Sequence, residues 1–506
     1  METASKMIEY AQLAEIRGNY PHKKIVHCHG VFDLFHYGHL LHLQEAKKQG
    51  DILVVTLTPD RFVNKGPHRP YHTEQKRLEL LAHLEIVDFI ALNETPTAVE
   101  AIHLLRPDFY VKGPDYQDEK KDETGGISKE KEAVESVHGK LVCTKGYTDS
   151  STRILNRFFS MWDEEQQALI DKIKTETTVS AILEAVERCA ELKVLVVGEP
   201  IIDSYVFCKP VGISSKGATV SAQFLEQEDY AGGSLAIANH LAAMGCETTI
   251  LLPSGQEPSF MKLLETQLLP TIHVEHYLTK GISTPKKTRY LSKQQTQRMF
   301  ELIDVTANHW ESLVADDFCE RLLQLSAQFD VVIIADFGHG LFENGVLHTL
   351  EKIGTFLALN VQTNSGNFGF NPFTKHDRYD YICMDERELR VATHDRLTDT
   401  DSLSDDIMDA IVRRTASLTL GEKGSIYYQP GQEKVACPAL FKRVVDTTGS
   451  GDAYFAITSL LTKTKADPII VPFIGNCVAG LHAQTIGNKY PVNKVDLIRT
   501  IRSTLE

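Results

Sequence analysis

The chain has 506 residues, more than one hydrophobic core usually accommodates, so two or three domains are expected. Its formal net charge of −15 argues against general binding to nucleic acids or anionic membranes, which favour basic surfaces. Nine scattered cysteines without a C-x-x-C pair predict a reducing, cytoplasmic environment rather than a disulfide framework or zinc ribbon. The N-terminal segment lacks a signal-peptide pattern, and no apolar stretch approaches the roughly 20 residues of a membrane span.

Short β-rich runs alternate with amphipathic helical runs in the first 160 residues. The strand patterns are KKIVHCHGVF, DILVVTLTPD, VDFIALN, DFYVKGPDY and KLVCTKGY. This rhythm predicts a parallel sheet wrapped by helices. The charged segment before the last strand is expected to be a loop containing a helix, and TDSSTRILNRFF is expected to begin another helix behind a Ser/Thr cap.

Residues 161–190 hold no strand pattern and predict a helical linker. The alternation restarts near residue 191 with LKVLVVGEPIID and continues towards the end of the chain, with VVIIADFGHG, YICMDEREL and ASLTLGEKGSIYY as later strands. No repeat relates the two halves. The predicted fold class is therefore α/β, with two doubly wound parallel-sheet domains over residues 1–160 and 191–506.

The segment GVFDLFHYGH at residues 30–39 follows the first strand pattern and precedes a helical pattern. Parallel sheets bind ligands at the carboxyl ends of their strands, where the N-terminus of the next helix favours phosphate. Gly38 permits close backbone approach, and His36 and His39 could stabilise triphosphate charge in a transition state. Zinc binding and a purely structural role are the alternatives, although no cysteine or carboxylate set completes a usual zinc pattern.

This segment resembles the H-x-G-H signature of the cytidylyltransferase-like nucleotidyltransferases, and further resemblances follow in order to about residue 157. They are NKGPHRPYHTEQKRLELLAHLEIVD, with a loop lysine and a helix arginine, YVKGPDY, typical of the sugar-phosphate branch, and YTDSSTRIL, a late phosphate-binding element. The resemblance implies a Rossmann-like domain that couples ATP or CTP to a sugar 1-phosphate and releases pyrophosphate. A polyol or amino-alcohol phosphate is the alternative acceptor.

The residues that this resemblance implicates fall into three groups. Catalytic roles are implied for His36, His39 and Lys65; nucleotide binding for Gly30, Phe32, Gly38, Lys112, Ser151 and Thr152; and substrate binding for Asp33 and Arg77.

A second glycine-rich stretch, VVDTTGSGDAYFA, places a turn before a helix of small residues. The N–H groups of Gly449, Ser450 and Gly451 could form an anion hole at the start of that helix. Asp452 could then accept a proton from a sugar hydroxyl. A plain glycine turn with Asp452 as a helix cap is the alternative.

This stretch resembles the D-T-x-G-x-G-D signature of the ribokinase-type, or pfkB, carbohydrate kinases, and the likeness extends over about residues 192–490. It includes TLGEKG, YAGGSLAIANHLAAMG, VLVVGEPIIDSYV and the basic segment TPKKTRYLSKQQTQRMFELID, which suits a sugar that already carries a phosphate. The resemblance implies ATP-dependent phosphorylation of a sugar or sugar phosphate, with Mg²⁺ as cofactor, and a homodimer. It implies nucleotide binding by Thr419, Gly421, Gly424, Gly449 and Gly451, substrate binding by Asp203, Gly232, Gly233 and Asn239, and a metal-site role for Glu388.

Three departures from the resembled families bear on function. Asn360 stands where an acid is expected after a central strand, and Asp385 replaces the asparagine of N-x-x-E, whose glutamate is Glu388. The kinase-like half also follows the nucleotidyltransferase-like half, the reverse of the order in the bifunctional heptose enzymes. Two hypotheses therefore stand: a bifunctional enzyme of nucleotide-sugar synthesis, or a nucleotidyltransferase fused to a non-catalytic, sugar-sensing or dimerising module.

Overall fold

The computed structural model describes most of the chain, and its contacts separate two compact units whose main boundary lies between Asp163 and Glu164. The predicted site residues Lys65, Ser151 and Thr152 lie outside the described residues. The described residues are 6–63, 69–113, 126–144, 162–214, 217, 219–278, 283–293, 297–304, 316–364, 366–367, 369–399, 414–442 and 444–506.

The first unit is built on one parallel sheet. Its strands are β1 Ile25–Gly30, β2 Ile52–Leu57, β3 Phe89–Leu92, β4 Phe109–Lys112 and β5 Lys140–Cys143. They lie in the order β3-β2-β1-β4-β5, so the chain starts in the middle and winds outwards in both directions. Every residue of β2 is buried, as expected for a parallel strand covered on both faces. The carboxyl ends of β1 and β4 lie side by side, at the position where open parallel sheets usually bind ligands.

Helices connect these strands. They are α1 Leu13–Asn19, α2 Tyr37–Lys47, α3 Glu74–Ala82, α4 Val99–Leu105 and α5 Gly126–Ser136. The sheet separates two clusters of apolar side chains, one containing Val26, Leu43 and Leu53, the other Leu13, Ile25 and Val54. Successive residues of β1 and β2 therefore point to opposite faces of the sheet and pack into opposite clusters.

The second unit begins with two helices, in the region where the sequence predicted a helical linker. The strands are β6 Lys193–Gly198, β7 Pro200–Ile213, β8 Val220–Gly233, β9 Glu247–Ser254, β10 His273–Leu278, β11 Lys286–Ser292, β12 Gln297–Asp304, β13 Val331–Asp336, β14 Phe356–Val361, β15 Tyr381–Asp385, β16 Thr415–Thr419, β17 Ser425–Tyr428 and β18 Val435–Cys437. The helices are α6 Glu164–Glu176, α7 Val179–Ala190, α8 Ser234–Ala243, α9 Pro258–Gln267, α10 Asp316–Ser326, α11 Asn344–Glu351, α12 Glu386–Thr393, α13 Ser450–Lys463, α14 Ile470–His482 and α15 Lys494–Leu505.

Nine of the strands form a central sheet in the order β10-β9-β6-β13-β14-β15-β16-β17-β18. All pairs are parallel except the last two, β16 with β17 and β17 with β18. Each residue of β13 is buried at the centre of this sheet. The two parallel-sheet units confirm the predicted α/β fold class, with an antiparallel edge added to the second sheet.

A separate four-stranded sheet, in the order β12-β11-β7-β8, was not predicted from the sequence. We call it the lid sheet. The strands β7 and β8 form a long antiparallel pair whose inner ends are buried and whose outer parts are exposed. Their inner ends hold the predicted substrate residues Asp203, Gly232 and Gly233. None of the helices in the described parts of the chain is long and apolar enough to cross a lipid bilayer.

Candidate active sites

The first candidate site lies where β1 ends and α2 begins. His36 is the N-terminal cap of α2: its Nδ1 accepts a hydrogen bond from the backbone N–H of Gly38 at 3.1 Å. The backbone N–H of His36 in turn donates to His39 Nδ1 at 3.4 Å, and the two rings stack with centroids 3.9 Å apart. The two histidines and Gly38 are therefore held together at a helix N-terminus, where phosphate is favoured.

The loop between β1 and α2 is held in an unusual backbone conformation. Phe32 and Leu34 have φ angles of 49° and 46°, a left-handed conformation that bulky side chains rarely adopt. The Phe32 ring packs edge-on against His39, with centroids 5.4 Å apart. Strain of this kind persists only where surrounding contacts enforce it, and it is frequent at functional sites.

Asp33 helps to hold this loop in its left-handed conformation. Its carboxylate is almost fully buried, pairs with Arg69 at 3.0 Å, and accepts hydrogen bonds from the backbone N–H groups of Tyr71 and His72. It thus ties the loop after β1 to the segment that precedes α3. Its predicted contact with substrate stays a prediction.

Arg77, at the start of α3, is also buried and bound by protein groups. Its guanidinium donates to the carbonyls of Val31, Thr58 and His72 and forms a 2.5 Å ion pair with Asp60. The guanidinium thus makes four contacts within the protein, which hold together the segments that follow β1 and β2. Substrate binding by Arg77 also stays a prediction.

A chain of side-chain hydrogen bonds runs along the ends of β1 and β2. Thr56 Oγ1 contacts His27 Nε2 at 2.7 Å and His29 Nδ1 at 2.8 Å, and His29 Nε2 contacts Thr58 Oγ1 at 3.2 Å. Burial, reinforced by the charge of Lys112, lowers the pKa of His27 to about 3 and that of His29 well below its usual value. These histidines are therefore neutral at physiological pH.

Lys112 ends β4 beside this chain and forms a buried 2.8 Å ion pair with Glu130 of α5. Gly30 ends β1, where a Cβ would lie 3.1 Å from the Phe32 ring. Lys112 ends β4 and the α2 N-terminus follows β1, which pairs with β4. Nucleotide binding by Lys112 stays a prediction. Within the described residues, no group of three or more histidines, cysteines or carboxylates is placed to hold a metal ion.

The second candidate site lies at the N-terminus of α13. Gly449 caps this helix with a φ of 83°, and a Cβ there would lie 2.1 Å from Asn488 Oδ1. Only glycine satisfies both conditions. Ser450 and Gly451 form the first turn. The Ser450 N–H donates to the Thr447 carbonyl at 3.1 Å, whereas the Gly451 N–H is among those without a partner inside the helix.

Asp452 follows in the same turn and is buried. Its Oδ1 accepts a 2.8 Å hydrogen bond from Gln362 Nε2, a contact that the sequence did not reveal. Burial, and then the nearby carboxylate of Asp203, raise the pKa of Asp452 to about 7, while Lys287 and Gln362 oppose that rise. A carboxylate with this pKa suits a general base that works near neutral pH.

Asp203 lies on the lid sheet and is buried. Its Oδ1 pairs with Arg289 at 2.6 Å and its Oδ2 accepts a hydrogen bond from Asn488 at 3.2 Å. A Cβ on Gly232 would lie 2.3 Å from Asp203 Oδ2, and one on Gly233 would lie 2.5 Å from the Glu199 carbonyl. The glycine pair therefore allows the strand ends to approach this carboxylate.

The remaining predicted positions lie at different places around this site. Thr419 ends β16 and donates to the Met384 carbonyl at 3.4 Å, while Gly421 and Gly424 have φ angles of 60° and 97° in the following turn. A Cβ on Gly424 would lie 2.0 Å from the Cys437 carbonyl, so this turn also requires glycine. The Asn239 amide is bonded to the backbone: its Nδ2 donates to the Gln267 carbonyl and its Oδ1 accepts the Leu269 N–H. Substrate binding by Asn239 stays a prediction.

The two residues that depart from the kinase pattern have structural partners. Asn360 donates from Nδ2 to the Cys383 carbonyl at 3.0 Å. Asp385 and Glu388 form a reciprocal cap of α12, in which each side chain accepts the other's backbone N–H at 2.7 Å. Glu388 also accepts the Thr363 N–H at 3.1 Å. Burial, then the nearby Asp385 carboxylate, raise the pKa of Glu388 well above its usual value.

The lid sheet contacts the loop before α13 through Asp446. Arg298 forms a 2.5 Å ion pair with Asp446 Oδ1 and also bonds Thr448 Oγ1. Tyr205 donates to Asp446 Oδ2 at 3.0 Å. These long-range contacts, which no local pattern predicts, join the lid sheet to the glycine turn.

Family models match both units. Residues 27–158 match the cytidylyltransferase-like model, and residues 191–491 match the pfkB family of carbohydrate kinases. The molecule therefore combines a nucleotidyltransferase-type domain with a sugar-kinase-type domain. Because the second match covers more than half of the residues, the chain belongs to the pfkB family of carbohydrate kinases.

Curated relatives resemble only part of the chain. The bifunctional protein HldE of Campylobacter fetus is 39% identical over 137 residues, which are 27% of this chain and 28% of that protein. The bifunctional protein HldE of Syntrophotalea carbinolica is 38% identical over 143 residues, again 27% and 28% of the two chains. The chain thus spans little more than a quarter of the length of the curated relatives it matches.

Solved structures align with the larger part of the chain. Arabidopsis thaliana ribokinase complexed with ribose and ATP has 18% sequence identity and a TM-score of 0.48, covering 62% of this chain and 99% of that one. Escherichia coli phosphofructokinase-2 in complex with potassium has 13% identity and a TM-score of 0.48, with the same coverage.

Proposed function

We propose that the first unit transfers a nucleotidyl group from ATP or CTP to a sugar 1-phosphate and releases pyrophosphate. The observation that carries this proposal is the pairing of His36 and His39 at the N-terminus of α2. The helix N-terminus attracts the triphosphate, and the imidazoles stabilise the charge that develops on its phosphates. The oxygen of the sugar phosphate attacks the α-phosphorus directly, so no protein nucleophile is needed.

The surrounding residues have supporting roles in this proposal. Lys112 adds positive charge at the same sheet edge, and Asp33 with Arg77 holds the loop that carries the histidines. Lys65 would close over the triphosphate. The likeness to HldE in this part of the chain supports a sugar phosphate as the acceptor, with a heptose as the first candidate.

A screen of sugar 1-phosphates against the four nucleoside triphosphates tests the first activity. Pyrophosphate release is the signal, and the same screen includes glycerol and ethanolamine phosphates as alternative acceptors. We expect release with ATP or CTP and at least one sugar 1-phosphate. Release with only a polyol or amino-alcohol phosphate would replace the sugar in this proposal.

We further propose that the second unit phosphorylates a sugar or sugar phosphate with ATP. The observation that supports it is the position of Asp452 within one turn of the Gly449 cap. The N–H groups at the start of α13 would bind the transferred phosphoryl group, and Asp452 would accept the hydroxyl proton. Asp203 would bind the sugar hydroxyls, and the Thr419–Gly424 turn would contact the nucleotide.

The residues near Asp452 fit a magnesium ion. Asp385 and Glu388 are carboxylates at the end of β15, and each bonded oxygen keeps a lone pair. Mg²⁺ commonly uses one or two carboxylates together with waters and substrate phosphates. When bound, the ion would neutralise phosphate charge. Glu388 would hold it directly or through water.

The alternative is a second unit that binds a sugar but does not phosphorylate it. The capping contacts between Asp385 and Glu388 favour this alternative, because they use the same carboxylates that would hold the metal. An assay for ADP release with a broad set of sugars and sugar phosphates separates the two. Binding without ADP release would support the sensor, whereas ADP release would support the kinase.

We propose that the enzyme works in the cytoplasm as a homodimer. The outer part of the lid sheet exposes large apolar side chains, and both of its outermost strands leave backbone groups available for pairing. A second copy of the chain would cover them. The exposed apolar side chains are Val211, Ile213, Val220, Phe224, Phe300 and Leu302.

Light scattering on the purified chain tests this dimer. Phe224→Glu places a charge on the exposed strand β8 and should convert the dimer to a monomer. Leu397→Glu is the control, because Leu397 is also exposed but lies outside the lid sheet. A wild-type monomer, or a dimer that survives Phe224→Glu, would contradict this interface.

A further inference from the structure

Three consecutive residues after α14 join the lid sheet to the glycine turn of the second unit. We call residues 487–489 the strap. The Gly487 N–H donates to Asp446 Oδ2 at 3.1 Å, and Lys489 forms a 2.9 Å ion pair with Glu228 of β8. The strap thus contacts both the loop before α13 and the lid sheet.

Asn488, the middle residue of the strap, is buried between Asp203 and the cap of α13. Its Nδ2 donates a hydrogen bond to Asp203 Oδ2 at 3.2 Å. Its Oδ1 lies against Gly449, where an added Cβ would be 2.1 Å away. One side chain therefore spans the distance from a carboxylate of the lid sheet to the N-terminus of α13.

The contact from Asn488 differs in kind from the other contact of the Asp203 carboxylate. Arg289, which pairs with Asp203 Oδ1 at 2.6 Å, lies on β11 of the same lid sheet. Because both residues belong to one sheet, their ion pair does not fix the carboxylate relative to α13. Among the described residues, Asn488 is the side chain from outside the lid sheet that donates to this carboxylate.

The amide oxygen of Asn488 is buried and has no hydrogen-bond partner within the described part of the chain. A buried carbonyl without a donor destabilises the folded state. A leucine of similar size would fill the same space without that cost. The amide at this position is therefore explained by its N–H group, which is bonded to Asp203, rather than by stability of the fold.

We propose that Asn488 is a positioning residue, which acts through the Asp203 carboxylate to align the acceptor hydroxyl with the N-terminus of α13. This inference rests on the proposed kinase function of the second unit, and it adds a residue that the family resemblance does not implicate. Asp452, which would take the hydroxyl proton, lies in the first turn of the same helix. Since α13 carries both this base and the anion-binding N–H groups, the place of Asp203 against its cap sets the geometry of transfer.

Steady-state kinetics on the full chain test this role with the acceptor identified by ADP release. Asn488→Leu removes the donor and keeps a similar volume. We expect kcat/KM for the acceptor to fall about 10- to 100-fold, because reacting groups lose their alignment, whereas KM for ATP should change by less than about twofold. Urea unfolding confirms that the variant folds.

Asn493→Leu is the matched control, because this exposed amide bonds Asp496 at the start of α15. It should leave kcat/KM unchanged. If Asn488→Leu does not fold, Asn488→Ala takes its place, since it removes the same donor without adding bulk. An unchanged kcat/KM, or losses that are equal for the acceptor and for ATP, would overturn the proposal, because Asn488 would then serve only the fold.

A double-mutant cycle with Asp203→Asn shows whether Asn488 acts through the carboxylate. In the Asp203→Asn background, Asn488→Leu should lower kcat/KM by less than about threefold, since the charged partner is already gone. The full loss in both backgrounds would mean that Asn488 acts independently of Asp203, which contradicts the proposed role.

Binding measurements separate this inference from the proposed kinase function. If the wild type releases ADP with no acceptor, the kinase proposal fails, and titration calorimetry with the same sugars and sugar phosphates then decides the role of Asn488. Binding that Asn488→Leu weakens about tenfold or more supports this role. No binding, or binding that the substitution leaves unchanged, overturns it.

Discussion

Among single residues, His39 has the most direct role in the proposed nucleotidyl transfer. Its Nδ1 accepts the His36 N–H, so its Nε2 is the ring nitrogen directed to other partners. We expect His39→Ala to lower the rate of nucleotidyl transfer by about 10²-fold or more, because charge stabilisation in the transition state is lost. Pyrophosphate release measures this rate. His83→Ala, at an exposed position after α3, is the control, and an unchanged rate in His39→Ala would remove the histidine from the mechanism.

Asp452 gives the kinase a defined pH dependence. Its pKa of about 7 means that the base form is lost as pH falls, so kcat should drop about tenfold per unit below pH 7 and level off above it. Gln362→Leu removes a hydrogen bond that stabilises the ionised form, so the pKa rises and the acidic limb moves to higher pH. Burial, as the largest cause, also raises the pKa values of the Asp385 and Glu388 carboxyl groups, so these groups contribute to the same profile.

A pH–rate profile of ADP release measures this effect. Gln429→Leu is a suitable control, since that amide contacts Tyr427 rather than Asp452. A profile that is flat between about pH 5.5 and 8 would mean that Asp452 is not the titrating base.

Among the helices and strands, the N-terminus of α13 should depend for its stability on Gly449 more than on Gly451. Gly449→Ala puts a Cβ against Asn488 in a left-handed backbone, which should cost about 1–3 kcal/mol of unfolding free energy. Gly451→Ala meets no atom within 4 Å and replaces a helical glycine, so it should be neutral or stabilising by about 0.5–1 kcal/mol. Urea unfolding compares the two, and equal effects would show that the cap is not constrained.

Elements with local signals were predictable from the sequence, and elements made by distant contacts were not. The parallel strands β1, β2, β6 and β13 are short apolar runs bounded by glycine or polar residues, so their type was evident. The lid sheet was missed because β7 contains lysine, proline and glycine in its outer part and β8 is largely polar there. Its inner ends are buried only through packing in the folded protein.

The same distinction holds for the candidate sites. The glycine turns and the histidine pair are contiguous in sequence, and the structure brings their members together. Gln362 and Asp452 are 90 positions apart, and Arg298 and Asp446 are 148 apart. No periodicity links such pairs, because their contact depends on how whole sheets pack.

At the scale of the whole molecule, each candidate site lies within its own unit. We therefore expect the activities to be separable. Asp452→Asn keeps the side-chain shape but removes the base, so it should abolish sugar phosphorylation and leave pyrophosphate release nearly intact. His39→Ala should have the reverse effect, and both rates are measured on each full-length variant.

A variant in one unit that also changes the activity of the other unit would contradict this separation. If Asp452→Asn also disables pyrophosphate release, then the two units depend on one another and the division into independent sites is wrong. If the wild type releases pyrophosphate but never ADP, the second unit is the sugar sensor considered above.

The buried carboxylates of Asp203 and Asp452, which the proposed kinase function assigns to the acceptor, also suggest how the natural acceptor can be found. A ligand that binds the folded chain but not the unfolded one stabilises the fold, by about 2.7 kcal/mol when present at a hundred times its Kd. The natural acceptor should therefore raise the melting temperature of the second unit. Candidate acceptors can then be ranked by this rise in melting temperature before any transfer reaction is known.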